Sequence, residues 1–255
     1  MRTVFVAALF SIALVAGSAM AADLTPPPVA PVYKAPPPVP SWTGCYVGGG
    51  GGFGVFTTNQ HVETFPGLVG VTQPQDNGGQ GWMGLAGGGC DYQFQLLNFN
   101  VLVGAFGDYD FLDYTGTIGI GASTGDFKES SAWAGGLRAG FLPAPNVLIY
   151  TNAGYTGTHL NSVNFTAGIT ATPSTLPSQN LNGWFLGGGV ESSLAWIIPG
   201  LFLRTEYRFS SYQAKDSQLF TTATGAPTAS AFNTNLASQS VFTQLVYRFN
   251  WSGWH

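Results

Sequence analysis

Only 8% of these 255 residues are charged, against roughly 25% in ordinary soluble domains, while 36 are glycine and 14% are aromatic. Eight Lys and Arg stand against 12 Asp and Glu, so the basic footprint of a nucleic-acid binder is missing and no nucleic-acid partner is expected. Two cysteines exclude a cysteine-based metal cluster, and no metal site is expected.

Residues 1–21, MRTVFVAALFSIALVAGSAMA, have a basic start at Arg2, an apolar core from Val4 to Ala16 and a small-residue exit. They read as a secretory signal peptide cleaved after Ala21 or Ala22. After residue 22 no apolar run reaches the roughly 18 residues of a membrane helix, and LAWIIPGLFL is broken by Pro199. An exported, charge-poor, glycine- and aromatic-rich chain without membrane helices is expected to be a transmembrane β-barrel of the Gram-negative outer membrane. The alternative is a secreted soluble β-protein.

Residues 22–41 form the next unit. TPPPVAPVYKAPPPVP is proline-rich and is expected to be an extended polyproline II tether in the periplasm, either a spacer that reaches peptidoglycan or a plain linker.

Residues 42–250 read as eight strands of alternating character, near 43–56, 81–95, 99–113, 130–142, 147–160, 183–196, 201–213 and 239–250. The connections alternate long (57–80, 114–129, 161–182, 214–238) and short (LLN, PAPN, IIPG). That is the pattern of an all-β, eight-stranded antiparallel up-and-down barrel with long extracellular loops and tight periplasmic turns. Three descending strands begin alike, at Trp82, Trp133 and Trp184, each 51 residues after the last.

In LFLRTEYRFSSY, residues 201–212, Arg204, Glu206 and Arg208 share one parity, and Leu203, Tyr207 and Phe209 the other. A lipid-facing Arg at the bilayer midplane costs about 2–4 kcal/mol, so the charged set is expected inside. The same parity puts Asp91, Asp108, Asp110, Arg138, Glu191 and Arg248 inside, a salt-bridge network that plugs the lumen. A soluble barrel would reverse this arrangement. Paired carboxylates Asp108 and Asp110 would also suit acid/base chemistry, but inward salt bridging is the stronger expectation.

Trp82, Trp133 and Trp184 are expected to form one interfacial belt, with Tyr92, Phe94, Phe141, Trp196, Tyr247 and Phe249 near the other end. In the first strand Tyr46, Gly48, Gly50, Gly52 and Gly54 are expected to face the lumen, leaving room for charged side chains and relieving crowding as a small sheet curls closed, with Cys45, Val47 and Phe53 toward lipid. Cys45 and Cys90 fall near the periplasmic rim of adjacent strands; they form either a disulfide or two free thiols, depending on register. His61, His159 and His255 are the only histidines. His159 with Ser162 is the nearest imitation of a hydrolase pair, and no catalytic site is expected.

Taken together, YKAPPP, WTGCYVGGGGGFG, GGGCDYQF, LRAGFLPAPNVLIYTNAGYTG, GWFLGGGVESSLAWIIPGLFLRTEYRF and QLVYRF resemble the Omp25/Omp31-like α-proteobacterial outer-membrane proteins, labelled porin family or outer-membrane immunogenic proteins. The resemblance implies an eight-stranded barrel in contact with outer-membrane lipid and lipopolysaccharide, and loops that meet host or environmental ligands. It also implies delivery by the barrel-assembly machinery, read from Tyr247 and Phe249. Members usually stop at that aromatic, whereas here residues 251–255 follow, with Trp251 and Trp254 placed for the interface. Some members are linked to hemin, which makes His61 or His159 candidate axial ligands and Phe65 a stacking partner. The expected role is structural and surface-interactive, with a narrow channel for small solutes as the alternative and hemin binding as the second.

Overall fold

The computed structural model describes residues 41–120, 123–166 and 172–249; the expected signal peptide, the tether up to residue 40 and the extension 251–255 lie outside them. Eight long strands make the wall: β1 (Gly44–Thr64), β2 (Gln75–Leu96), β3 (Phe99–Ile120), β4 (Ser123–Ala144), β5 (Val147–Leu160), β8 (Gln179–Ser193), β9 (Leu201–Tyr212) and β11 (Pro227–Phe249). Three short strands, β6 (Val163–Phe165), β7 (Ser174–Leu176) and β10 (Lys215–Thr221), complete the element order. All pairs are antiparallel between neighbours, and β1 closes the ring against β11 from Cys45↔Phe249 to Thr64↔Ser230. No edge is left unpaired there, which is what hydrocarbon requires of a spanning sheet.

The short strands continue the wall upward. β10 replaces β9 beside β11, β7 pairs with β10, and β6 pairs with β7. β6 also stays on β4, where Thr166 N donates to Thr124 O at 3.0 Å. The upper ring therefore runs β1-β2-β3-β4-β6-β7-β10-β11. The tight connections at residues 97–98, 145–146 and 194–200 share one rim with both barrel termini, the periplasmic rim by the usual barrel rule.

Three expectations are corrected. The long connections are largely strand, not loop: β1 reaches Thr64, β2 starts at Gln75, and only two residues separate β3 from β4. Alternation does continue through these stretches, but with inverted polarity, so it no longer resembles a lipid-facing strand. A strand of 21 residues is about 70 Å long, whereas about 9–11 tilted residues cross a bilayer, so much of the wall stands above the membrane. The turn after β8 also begins earlier than expected, and exposed Trp196 sits in it.

The third correction concerns the glycines of β1. Gly50 and Gly52 face inward, but a Cβ there would strike the Thr243 and Val241 carbonyl oxygens of β11. Of the two expected reasons, the crowding of backbone in a narrow, coiled sheet is the one that requires them, and room for charges is not. The glycine that does yield to a charge is Gly104, whose Cβ would collide with the Asp91 carboxylate.

Candidate functional site

Period-two alternation carries the inner residues of each strand into a lumen too narrow for water to fill, so charges placed there must find each other. Near the periplasmic end, Glu191 on β8 accepts from three arginines: Arg138 Nη1 at 3.2 Å, Arg204 Nε at 2.8 Å, and Arg248 Nε and Nη2 at 3.0 and 2.7 Å. Asp91 on β2 holds Arg138 in a two-pronged contact and takes Arg248 Nη1 at 2.7 Å. The forked guanidinium suits such bidentate pairing better than an ammonium does. Arg138 and Arg204 also lie over the Tyr46 ring at 4.7 and 4.5 Å, and Arg248 over Trp42 at 4.9 Å.

Higher in the lumen a second group centres on Arg208. Its Nη1 and Nη2 donate to Asp108 at 2.8 and 2.7 Å, and its Nη2 also reaches Glu206 at 2.9 Å. Asp110 lies 3.7 Å from Arg208, and Tyr150 donates to Glu206 at 2.7 Å. Above this group an apolar cluster fills the interior, including Phe56, Ile118, Phe127, Phe165, Phe232 and Leu236. Below it, buried Trp42 packs against Phe202, with ring centroids 4.8 Å apart and the planes tilted by 57°, and donates to Pro145 O at 3.0 Å, covering the periplasmic mouth.

Two contributors escape parity reading. Glu129 is fully buried and accepts from Thr158 at 2.6 Å. The pairing of β4 with β5 shifts between Glu129 and Ser131, and this irregularity turns Glu129 inward when unbroken alternation from Arg138 would have turned it out. Trp42 precedes β1; it heads the WTGCY run and keeps the parity of inward Tyr46, but lies ahead of the first strand to which that parity was applied.

On the outer wall, Cys45 and Cys90 stand opposite one another in the β1–β2 register and are disulfide-bonded. The belt aromatics form pairs: Trp82 with Phe53, Trp133 with Tyr155, and Trp184 with Phe209 at one level, Tyr92 with Phe94 and Tyr247 with Phe249 at the other. Phe141 faces outward at the second level. His61 Nε2 lies 2.7 Å from Glu63, and His159 Nδ1 lies 2.7 Å from Asn180 Oδ1. The two histidines occupy separate strands of the outer face, and Phe65 is exposed beyond the end of β1.

No protein-family model matches the chain. Among solved structures it is similar to the outer-membrane protease OmpT from Escherichia coli, with 10% identity, 82% of this chain and 98% of that one covered, and a TM-score of 0.48. It is also similar to OprG from Pseudomonas aeruginosa, with 10% identity, coverage of 83% and 99%, and a TM-score of 0.43. Sequence relatedness is much higher to the 31 kDa outer-membrane immunogenic proteins of Brucella melitensis biotype 1 and Brucella suis biovar 1. To each it is 31% identical over 220 residues, 81% of this chain and 87% of the relative. A closed antiparallel wall, apolar outside and ion-paired within, together with that identity, places the chain in the outer membrane as a member of the family of the 31 kDa outer-membrane immunogenic protein.

Proposed function

We propose that this chain is a closed, non-conducting surface scaffold: it stiffens the outer membrane and holds a folded β-walled turret outside it, without transport or catalysis. The observation that carries this reading is the bridging of three arginines by Glu191 across the lumen, with packed phenylalanines above and Trp42 below. An ion crossing such a lumen would have to break several buried charge-assisted hydrogen bonds. The turret is the surface that external ligands meet, and the lipid of the outer leaflet surrounds its base.

Recording from purified protein in planar bilayers tests the reading. Wild type is expected to show no unitary current steps; stable openings in the wild type would end the scaffold reading in favour of a narrow channel.

A further inference from the structure

The described residues carry six cations, and four of them, Arg138, Arg204, Arg208 and Arg248, are spent inside the lumen. The whole outer wall keeps two, Lys128 on β4 and Lys215 on β10. These two are not scattered. They flank the top of the β5–β8 pair, where His159 faces Asn180 in register. Lys215 Nζ donates to Asn180 O at 3.4 Å, and Asn161 N, just past the end of β5, donates to Lys128 O at 2.9 Å.

Beside them, and lined by neither, is a niche of about 440 Å³ on the outer face whose lining includes Tyr109, Ser131, Trp133, His159, Asn180 and Asn182. Gly157 lets these side chains lie against the wall: a Cβ there would come 2.6 Å from Trp133 Nε1 and 2.9 Å from Asn182 Oδ1, so any side chain would force both to shift. The niche starts at the tryptophan belt and rises from it, which is the depth of the lipid headgroups. Below it Leu137, Tyr155 and Leu186 present apolar wall to acyl chains.

The composition is that of a saccharide site. Trp133 and Tyr109 offer flat rings to the C–H face of a pyranose, and two carboxamides and a serine offer donors and acceptors to its hydroxyls. The Nδ1 contact with Asn180 leaves His159 Nε2 for a ligand. The flanking ammonium groups call for anions. Lys128 is paired with Asp113 at 2.7 Å, but both are well exposed, and such a surface pair is weak enough to be exchanged for phosphate. Asp216, beside Lys215, is turned to Asn233.

We infer that this niche binds the phosphorylated amino-sugar headgroup of an outer-leaflet glycolipid, the sugar stacked on Trp133 and Tyr109 and its phosphates held by Lys128 and Lys215. The inference deepens the surface role proposed above and rests on it for location. A barrel that conducts yet retains the glycolipid would end the closed-scaffold reading and leave this one standing.

Native mass spectrometry of the full barrel, released from nanodiscs containing bisphosphorylated lipid A and phosphatidylglycerol, reads the site directly. One lipid A is expected to stay bound in preference to phosphatidylglycerol. Retention should fall about tenfold in Lys128→Ala/Lys215→Ala and again in Asn180→Ala/Asn182→Ala, as losing charge-assisted and neutral hydrogen bonds implies. Heat-modifiable migration on gels checks that each variant folds. Gly157→Ser is a second probe, which displaces the Trp133 ring and the Asn182 carboxamide without touching a charge and should lower retention as well. Equal retention of phosphatidylglycerol, variants indistinguishable from wild type, or equal binding of the deacylated bisphosphorylated disaccharide would each overturn the inference.

Discussion

Below the tryptophan belt the wall is apolar outside and ionic inside; above it, the same strands are polar outside and apolar inside. On β3, inner Asp108 and Asp110 give way to inner Leu112, Tyr114 and Ile118, while outer Tyr109 and Phe111 give way to outer Asp113, Thr115 and Thr117. On β11, outer Val241, Leu245 and Tyr247 contrast with outer Asn233 and Asn235 higher up. Between β1 and β11, and between β1 and β2, backbone pairing runs through the change with no shift of register, so the hydrogen-bond ladder does not decide polarity. The outer solvent does: hydrocarbon takes the apolar face in the lower half, and water drives the apolar face inward in the upper half.

If that contrast is correct, the two halves should fail differently. Glu191→Ala leaves three guanidinium groups without their shared carboxylate, and breaking a buried pair this way costs about 3–5 kcal/mol. The expected readout is a lowered unfolding midpoint in urea together with new current steps, since the plug itself is opened. Phe232→Ala in the upper cluster removes a fully buried ring, for a cost of about 3 kcal/mol. Here the expected sign is protease cleavage of the turret, with the membrane half still resistant and still non-conducting; current through this variant would show that the upper cluster, not the ion pairs, seals the barrel.

One strand can sharpen the comparison. Leu245→Arg and Asn235→Arg lie on the same face of β11, both exposed. The first should cost about 2–4 kcal/mol, because the charge enters hydrocarbon, and the second within about 0.5 kcal/mol, because it enters water. Similar costs measured by urea unfolding in bilayers would place the membrane boundary wrongly. At the small end, hemin added to the folded protein is expected to give no Soret shift, since His61 Nε2 is taken by Glu63 and β1 and β5 are not neighbours, so neither histidine stands beside a second one to complete the ligation.

Faces were readable from residue order where the energetic stake was high. Arg204, Glu206 and Arg208 could not all meet lipid, and their parity alone oriented β9 and, by extension, its neighbours. The turret was not readable in the same way. HVET and TGTIG have the composition of loops, and a rule tuned to apolar-out strands passes over strands that are polar-out. Glu129 was hidden for a separate reason: a single irregularity in β4 shifts parity, and nothing in SSAW announces it.

Order along the chain was thus enough to establish an antiparallel up-and-down barrel, the inward turn of the charges and the outward face of the aromatics, because each follows from a local period of two set against one solvent. Closure settled which Arg meets which carboxylate, that Cys45 stands opposite Cys90, why Gly50 and Gly52 must lack a Cβ, and that Lys215 reaches the carbonyl of Asn180. Alternation assigns a residue to a face but says nothing about the stagger between neighbouring strands, and it is that stagger, imposed when β1 meets β11, that brings distant side chains within bonding distance.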